Sequence, residues 1–403
     1  MSITAKWPDI QFGEIADFRN GLNFTKENFG KGIKVIGVSD FQNYLIPKYD
    51  ELSEINPEGV VKSDDLLREG DILFVRSNGN RSLIGRSLFL SGIEGKISHS
   101  AFTIRARIFS NKAMPRFYAY LFRTSLIRET LSAYGGGTNI SNLNQGILKQ
   151  LKVPLPPLST QHKIAAILSA YDDLIENNTR RIKILEEMAQ ALYREWFVHF
   201  RFPGHEGMRM VESELGLIPD GWNIEKVKNI LKRLPVGKAY TQSEVSDKGQ
   251  FQVIDQSRDD ILGYHDGPPS QIASPESPII IFGDHTCKMQ MLIEPFSVGP
   301  NVIPFVSKNN LPIPYLYFLI HDLIETKEYK RHWTELTNKT VVFTNGKNAQ
   351  LFSDIIKPNF EQMRLLKMKN TNLSRTRDLI LPKLISGELD VSELDIMIPE
   401  AMT

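Results

Sequence analysis

The stretch KVPLPPLSTQHKIAAIL, residues 152–168, decides the fold prediction because it joins a proline-rich strand end to the start of a long helix. Ser159 and Thr160 are residue types that cap helix N-termini, and no Gly or Pro occurs over residues 161–196. A weaker copy, IIKPNFEQMRLLKM, occupies residues 355–368. The junction therefore predicts that one structural unit ends here and that the chain contains a second.

Three further pairs of segments support an internal repeat. WPDIQFGEIADFRNGLNF from Trp7 parallels WNIEKVKNILKRLPVGKAY from Trp222, GDILFVRSNGN from Gly70 parallels SPIIIFGDHTC from Ser277, and PRFYAYLF from Pro115 parallels PYLYFLI from Pro314. With the junction, four matches occur in the same order at offsets of roughly 200 to 216 residues, which is typical of a tandem duplication. We therefore predict two copies of one unit, each with its globular part first and its long helix last.

Each globular part is predicted to be mixed α/β. Short β-rich runs alternate with turns rich in Gly, Asn and Pro, and they cover residues 33–38, 71–76 and 102–108, then 251–254, 279–282 and 301–306. A helix is expected after each of Pro115 and Pro314, because Pro suits the first helical turn. The predicted fold class is therefore α/β, with two repeated domains.

The two closing helices each carry an apolar stripe at alternating spacings of three and four. The stripes are Ile164, Ile167, Tyr171, Leu174, Asn178, Ile182, Leu185 and Leu192 in the first helix, and Met363, Leu366, Asn370, Leu373 and Ile380 in the second. Each helix could pack on its own domain. We favour an antiparallel pair, a coiled-coil spacer, because pairing buries both stripes and an Asn in the seam can fix the register.

These patterns predict four segments in the chain. They are a first globular domain at 1–157, a first spacer helix at 158–200, a second globular domain at 201–357, and a second spacer helix with a tail at 358–403. Pro382 is expected to end the second helix. A tandem repeat within one chain also predicts pseudo-twofold symmetry.

The composition is that of an ordinary globular protein. The chain has 403 residues, of which 41% are hydrophobic and 24% charged, and this length predicts two or three domains. Cys287 is the single cysteine, so no internal disulfide can form and a reducing, cytoplasmic location is expected. No apolar run has the length of a signal peptide core or a membrane span.

Charge is distributed unevenly although the net charge is only +1. From Arg76 to Arg128 there are ten basic residues, mostly arginine, against a single acid, Glu94. Such a run could be a plain solvated face. Arginine dominance favours contact with phosphates or bases, because the guanidinium fork matches both.

Two groups of residues resemble catalytic or metal-binding sets. Asp71, Glu94 and Lys96 have the spacing of a metal-dependent nuclease, in which carboxylates hold Mg²⁺ and Lys assists the attack. This pattern is common by chance, and the second unit lacks it. Asp284, His285 and Cys287 are close together but lack a fourth ligand, so a polar loop is favoured over a zinc site. No catalytic residue and no metal site are therefore predicted.

Several motifs resemble the specificity (S) subunit of type I restriction-modification enzymes. They are VPLPPLSTQHKIAAIL (153–168), ALYREWFVHFRFP (191–203), LGLIPDGW (215–222) and LPKLISGELDVSEL (381–394). The resemblance covers essentially the whole chain. The second junction departs from it, since KPNFEQMRLL has one proline where the first junction has three.

The resemblance implies a non-catalytic DNA reader. Each globular part would be a target-recognition domain for one half of a split, asymmetric DNA sequence, and the helices would set the spacing. Two DNA adenine methyltransferase subunits would dock on this scaffold, and restriction (translocase-nuclease) subunits would complete the complex. S-adenosylmethionine, ATP and Mg would be bound by those partners, with no cofactor in this chain.

The candidate DNA-binding residues follow from this role. In the first unit they are Arg76, Asn78, Asn80, Arg81 and Arg86 in one turn, because Arg pairs with guanine and Asn with adenine, and Thr138, Asn139 and Asn142 in the segment GGGTNISNLNQ (135–145), which suits phosphate contact. In the second unit they are His285, Lys288 and Gln290, flanked by Asp284 and Thr286, and Asn345, Lys347 and Asn348 in the loop TNGKN. Ordinary solvated turns are the alternative at each place.

Two other functions remain open from the sequence alone. One is a single-chain metal-dependent DNA nuclease that uses Asp71, Glu94 and Lys96. The other is a coiled-coil scaffold with no role on DNA.

Overall fold

The computed structural model describes residues 6–42, 44–80, 83–134, 143–257, 260–308, 310–326, 328 and 330–399. The chain divides into two compact units. Unit 1 comprises Met1–Asn177 and Lys369–Thr403, and unit 2 comprises Asn178–Met368.

Unit 1 contains a four-stranded sheet, a three-stranded sheet and a two-stranded pair among its described residues. Its strands are β1 (Asp9–Gln11), β2 (Ala16–Asn20), β3 (Phe29–Ile36), β4 (Ser53–Ile55), β5 (Ile72–Val75), β6 (Ser87–Phe89), β7 (Ile97–His99), β8 (Thr103–Ile108) and β9 (Lys152–Pro154). The strand orders are β2-β8-β5-β6, β4-β3-β7 and β1-β9. Strands β3 and β7 pair in parallel, whereas β3 and β4 are antiparallel.

The helices of unit 1 contribute buried residues to its core. They are α1 (Pro115–Leu121), α2 (Ser125–Tyr134), α3 (Gln145–Gln150) and the first part of α4 (Leu158–Tyr193). Proline occupies the first turn of α1, as predicted, and five successive residues from Phe117 to Leu121 are buried. The rings of Phe12, Phe74 and Phe122 pack together there, with centroid separations of 4.9 and 4.8 Å to Phe122.

Unit 2 has two sheets, an additional pair and a hairpin in its described part. Its elements are β10 (Met210–Ser213), β11 (Gly216–Pro219), β12 (Asn223–Lys226), α5 (Val227–Ile230), β13 (Leu231–Arg233), β14 (Phe251–Ile254), β15 (Ile261–His265), β16 (Ile279–Gly283), β17 (Met289–Leu292), β18 (Phe296–Val298), β19 (Val302–Ser307), α6 (Ile313–His321), α7 (Trp333–Asn338), β20 (Thr340–Phe343) and the first part of α8 (Lys347–Ser386), whose residues from Lys369 onward belong to unit 1. One π-helical turn, Arg194–Val198, ends α4.

The two units share one strand topology. In unit 2 the orders are β13-β19-β16-β17, β15-β14-β18 and β12-β20, which repeat those of unit 1 strand for strand in chain order. The parallel pair recurs as well, since β14 and β18 correspond to β3 and β7. The hairpin β10-β11 has no described counterpart in unit 1. The internal repeat inferred from four short matches is thus present in the pairing of the strands.

The junction motif attaches the start of α4 to unit 1. The backbone N–H groups of Thr160 and Gln161 donate to the Pro157 carbonyl at 2.9 and 3.0 Å. The fully buried Gln161 amide accepts from the Met114 N–H at 2.8 Å and donates to the carbonyls of Lys112 and Pro156, each at 2.8 Å. The motif therefore fixes where the helix leaves the domain.

The predicted ends of the second helix were wrong. Helix α8 begins at Lys347, before Pro358, and continues past Pro382 to Ser386. Both prolines are exposed, while Ile356 and Leu384 beside them are buried. Packing of the buried face outweighs the loss of one backbone hydrogen bond at each proline. Gly387, with φ of 77°, ends the helix in the left-handed conformation that glycine tolerates.

Within unit 1 the end of α8 runs antiparallel to the start of α4. Arg377 forms an ion pair with Asp172, and the Asn370 side-chain amide donates to the Ile175 carbonyl at 3.3 Å. As residue numbers rise along α4 they fall along α8, so the segments run in opposite directions.

One member of the predicted stripe was misplaced. Leu174 is 54% exposed, whereas Leu168 is fully buried and Ile175 partly buried. In the structure the buried stripe continues from Ile164 to Leu168, four residues further on. The sequence predicted its next member three residues further on, at Ile167. Both steps are allowed on a helix of 3.6 residues per turn, so spacing alone could not choose between them.

None of the helices in the described part of the chain has an apolar stretch of the length needed to span a membrane.

Candidate nucleic-acid interface

The predicted base-reading turn of unit 1 follows β5, where three segments of backbone meet. The Arg76 N–H donates to the Phe102 carbonyl at 2.8 Å, and the Leu143 N–H donates to the Arg76 carbonyl at 2.9 Å. The Val75 N–H donates to the Arg86 carbonyl at 2.9 Å, which closes the turn. Hydrogen bonds thus hold the β5–β6 turn against the β7–β8 turn and against the start of α3.

The side chains of this turn lie at or near the surface. Arg76, Asn78 and Arg86 are partly exposed and Asn80 is exposed. The Asn78 side-chain oxygen accepts from the Asn80 N–H at 2.7 Å, so Asn78 shapes the turn. The remaining predicted members, Arg81, Thr138, Asn139 and Asn142, lie outside the described residues.

The guanidinium groups of Arg76 and Arg86 are not neutralised by carboxylates in the part of the chain that the structure describes. Arg76 donates to the Ala101 carbonyl at 3.5 Å and Arg86 to the Phe41 carbonyl at 3.4 Å. Burial, and then the charge of Arg86, lower the pKa of Arg128. Positive charge is therefore concentrated beside the turn, which favours binding of a phosphate-rich polymer.

Most other arginines of the basic run serve the domain itself, and this corrects the interpretation of the run as one DNA-binding feature. Arg107 binds both carboxylate oxygens of Asp71 at 2.7 Å, and Arg105 donates to the Asp64 carbonyl at 2.9 Å. Arg116 lies over the Phe89 ring at 5.3 Å from its centroid. Sequence distance could not separate these roles, because Arg105 and Arg107 lie on the same face of β8 and their partners come from other segments.

The pattern of a metal-dependent nuclease is not supported. Asp71 is fully buried and its carboxylate also accepts from the Arg68 N–H at 2.7 Å, so both oxygens are occupied. Glu94 and Lys96 are exposed. Among the described residues, no group of three or more His, Cys, Asp or Glu side chains could hold a metal ion.

The corresponding turn of unit 2 is neutralised internally. Lys288 forms an ion pair with Asp260 at 2.7 Å, and Gln290 donates to the same carboxylate at 2.9 Å. The His285 N–H donates to the Gln256 side chain at 3.0 Å, and Thr286 donates to the Gln256 carbonyl at 2.8 Å. The predicted residues are therefore brought together, but around an acidic partner that was not predicted.

Asp284, next in that turn, has a structural role. Its buried carboxylate accepts from the backbone N–H groups of His332 at 3.0 Å and Trp333 at 2.8 Å, at the start of α7. The neighbouring Cys287 has a raised pKa, chiefly because of burial. The Asp284 carboxylate therefore connects this loop to the start of α7.

The predicted loop TNGKN is partly helical, because α8 begins at Lys347. Asn345 and Lys347 are exposed and Asn348 is partly buried. Thr344 is buried, and its hydroxyl accepts from the Gly346 N–H at 3.1 Å. The prediction of a free loop was therefore wrong for Lys347 and Asn348, although Lys347 lies at the surface.

Phe102 was not among the predicted site residues, because the predicted strand 102–108 includes it. The residue lies in the turn before β8 and its side chain is 60% exposed. A phenylalanine at the first position of a β-rich run is ordinary. The only sequence feature that could have distinguished Phe102 was its position directly after a Ser-Ala pair.

Comparisons with known proteins find sequences that are similar to this chain. Residues 5–187 match the family model described as "Type I restriction modification DNA specificity domain". The chain is 27% identical over 300 residues to the type I restriction enzyme MjaIX specificity subunit of Methanocaldococcus jannaschii, covering 68% of this chain and 69% of that protein. It is 29% identical to the MjaVIII specificity subunit of the same organism over 48% of this chain and 41% of that protein.

A solved structure has the same fold. The crystal structure of a type I restriction-modification system S subunit from M. genitalium superposes with a TM-score of 0.54 at 15% identity, covering 94% of this chain and 96% of that one. The sequence relatives are named as specificity subunits and not as catalytic subunits, in line with the predicted non-catalytic role. The chain is therefore similar to type I restriction-modification specificity subunits, and the family model matches its residues 5–187.

Proposed function

We propose that this chain recognises a split, asymmetric DNA sequence, with one half-site read by each repeated domain. The observation that carries this proposal is the repetition of one strand topology with different turn chemistry after the matching strands β5 and β16. Among the residues that the structure describes, Arg76 and Arg86 have no carboxylate partner in the first turn, while Lys288 is paired with Asp260 in the second. Similar frames with different side chains would select different bases.

The same proposal assigns the long helices to a spacer. An antiparallel coiled coil of α4 and α8 would separate the two domains and give the chain pseudo-twofold symmetry. The contacts of Asp172 with Arg377 and of Ile175 with Asn370 support it, since they lie on the predicted stripe or beside it. Half-sites one helical turn apart on DNA lie about 34–36 Å from each other, a distance within the reach of helices of this length.

Partners would supply the chemistry. Two DNA adenine methyltransferase subunits would bind equivalent surfaces of this scaffold, with restriction (translocase-nuclease) subunits in the complete assembly. S-adenosylmethionine, ATP and Mg would be bound by those subunits, and the adenine would be flipped out of the duplex by the methyltransferase. A DNA target and a single cysteine are both consistent with the cytoplasmic location that the sequence predicts.

The first experiment identifies the target. The chain and its methyltransferase partner are expressed together in a host without adenine methylation, and the methylated sites are read by single-molecule sequencing. We expect one motif made of two short half-sites around a fixed gap. A contiguous motif would refute bipartite recognition. Absence of methylation, together with failure of the complex to shift DNA at low salt, would favour a scaffold without a DNA role.

The second experiment tests the spacer. Residues 179–185 of α4 and 363–369 of α8 are deleted together, so that each helix loses one heptad and the stripes keep their phase. The helices shorten by about 10.5 Å, or about three base pairs of DNA, and we expect a changed gap with both half-sites unaltered. The control is Lys183→Ala, which alters an exposed residue of the same segment at constant length. An unchanged gap in the deletion variant would refute the spacer.

A further inference from the structure

Phe102 is an exposed aromatic side chain on a rigid turn. The ring belongs to residue three of the four-residue turn 100–103, and the Thr103 N–H donates to the Ser100 carbonyl at 2.9 Å to close it. The side chain is 60% exposed in unit 1. An aromatic side chain exposed in this way is available to pack against an apolar group of a partner.

Several backbone hydrogen bonds restrain this turn from outside. The Ser100 N–H donates to the Ile36 carbonyl at 2.9 Å, and the Ala101 N–H donates to the Leu22 carbonyl at 2.7 Å. A Cβ at Gly21 would lie only 2.2 Å from the Ser100 carbonyl oxygen, so the chain passes tightly against the turn there. Phe102 is thus presented with little conformational freedom left to lose on binding.

A cationic side chain, that of Arg76, contacts the backbone of the turn that carries this ring. The Phe102 carbonyl accepts from the Arg76 N–H, and the Arg76 guanidinium points to the carbonyl of Ala101, the neighbour of Phe102. Among the described residues that guanidinium has no carboxylate partner. The partly exposed Arg76 and the exposed Phe102 are therefore held together by hydrogen bonds to the backbone of one turn.

We propose that Phe102 and Arg76 form one base-reading pair, in which the guanidinium binds a guanine edge and the ring packs on the methyl group of an adjacent thymine. The inference rests on the proposed function and adds the side chains and base chemistry of one half-site. In the major groove, guanine offers two acceptors that match an arginine fork, and thymine offers an apolar methyl group. This juxtaposition of acceptors and a methyl group mirrors the surface formed by Arg76 and Phe102.

The chain offers a matched control for Phe102. Phe109 lies just beyond the other end of β8 and is 58% exposed. Phe102→Ala and Phe109→Ala therefore remove rings of equal size and similar exposure from opposite ends of one strand. Loss of folding would affect both variants through the same sheet, whereas loss of a base contact would affect only the first.

The test uses the complex with its methyltransferase partner and a duplex carrying the motif found for the unaltered chain. Binding is measured for the unaltered chain, Phe102→Ala, Phe109→Ala and Arg76→Ala. Each duplex is prepared with thymine and with uracil, which lacks the methyl group, at each thymine position of the half-site. We expect Phe102→Ala to weaken binding about tenfold and Phe109→Ala to leave it unchanged.

Uracil distinguishes the methyl contact from other roles of the ring. At one thymine, uracil should weaken binding by the unaltered chain to the level of Phe102→Ala, and it should weaken Phe102→Ala no further. Arg76→Ala should relax the preference for guanine at the neighbouring position. Equal binding by the two Phe variants, or binding by the unaltered chain that no uracil affects, would overturn the inference. If the unaltered chain directs no bipartite methylation, the proposed function fails instead.

Discussion

Replacing Asp71 with Asn should destabilise unit 1 strongly, because the carboxylate connects β5 to β8 from a fully buried position. It accepts three charge-assisted or backbone hydrogen bonds of 2.7 Å, two from Arg107 and one from the Arg68 N–H. In Asp71→Asn an amide NH₂ would face a guanidinium donor, and the Arg107 charge would remain largely buried without its counter-charge.

The magnitude follows from the geometry of the pair. Removing one partner of a buried ion pair costs about 3–5 kcal/mol. Arg107 retains 24% side-chain exposure and can recover some hydration, so we expect the lower end, about 3 kcal/mol. With a urea m-value of about 3 kcal/mol/M, the unfolding midpoint of unit 1 would fall by about 1 M.

Hydrogen exchange read by mass spectrometry is the suitable assay, since it reports each unit separately at increasing urea concentration. Peptides from β5 and β8 should exchange faster in Asp71→Asn, while peptides from β16 and β19 should not change. Glu94→Gln is the control at an exposed carboxylate. Equal protection of β5 from hydrogen exchange in both variants would refute the structural role of Asp71. Its carboxylate would then have to be regarded as free.

Three further predictions concern stability. Leu168→Ala should destabilise unit 1 by about 2–5 kcal/mol and Leu174→Ala by less than about 0.5 kcal/mol, measured by the same exchange experiment; the reverse order would mean that the stripe inferred from the sequence is the buried one. Burial, with a smaller effect of Arg105, lowers the pKa of His99 from 6.5 to about 3. Between these values the unfolded chain binds a proton that the folded chain does not, so stability should fall with falling pH by about 1.4 kcal/mol per pH unit, and His99→Gln should flatten the urea-midpoint profile in this window. Pro358→Ala should restore a backbone N–H inside α8 and raise the free energy of unfolding of unit 2 by up to about 3 kcal/mol; a fall would mean that the proline fits a bend that packing requires.

The sequence allowed much of the fold to be predicted because strand patterns and helix junctions are local. All six predicted β-rich runs overlap strands, among them 251–254 with β14 and 279–282 with β16. The start of α4 was predicted within three residues because Pro157 and the polar residues after it define a helix start. The start of α8 was missed because its second proline junction lies inside a helix that packing sustains.

The candidate site was predicted less well, because a charged residue's role depends on what faces it. Arg76 and Arg107 are alike in sequence, yet one is directed at a carbonyl and the other holds the buried Asp71. Lys288 was identified as a DNA contact, but Asp260 lies against it from a segment 28 residues earlier. Phe102 could be recognised as exposed only once the turn that carries it was placed.

By itself, the sequence determined that the chain is a duplication, that each copy is α/β with a long closing helix, and that its motifs resemble those of DNA specificity subunits. These properties depend on local patterns and on their recurrence at a fixed offset. The tertiary structure decided which arginines bind carboxylates, which leucine of α4 is buried, and that the turn of Phe102 is hydrogen-bonded to Arg76. Those outcomes depend on contacts between distant segments, where burial and charge pairing set the free energy and no local spacing records the partner.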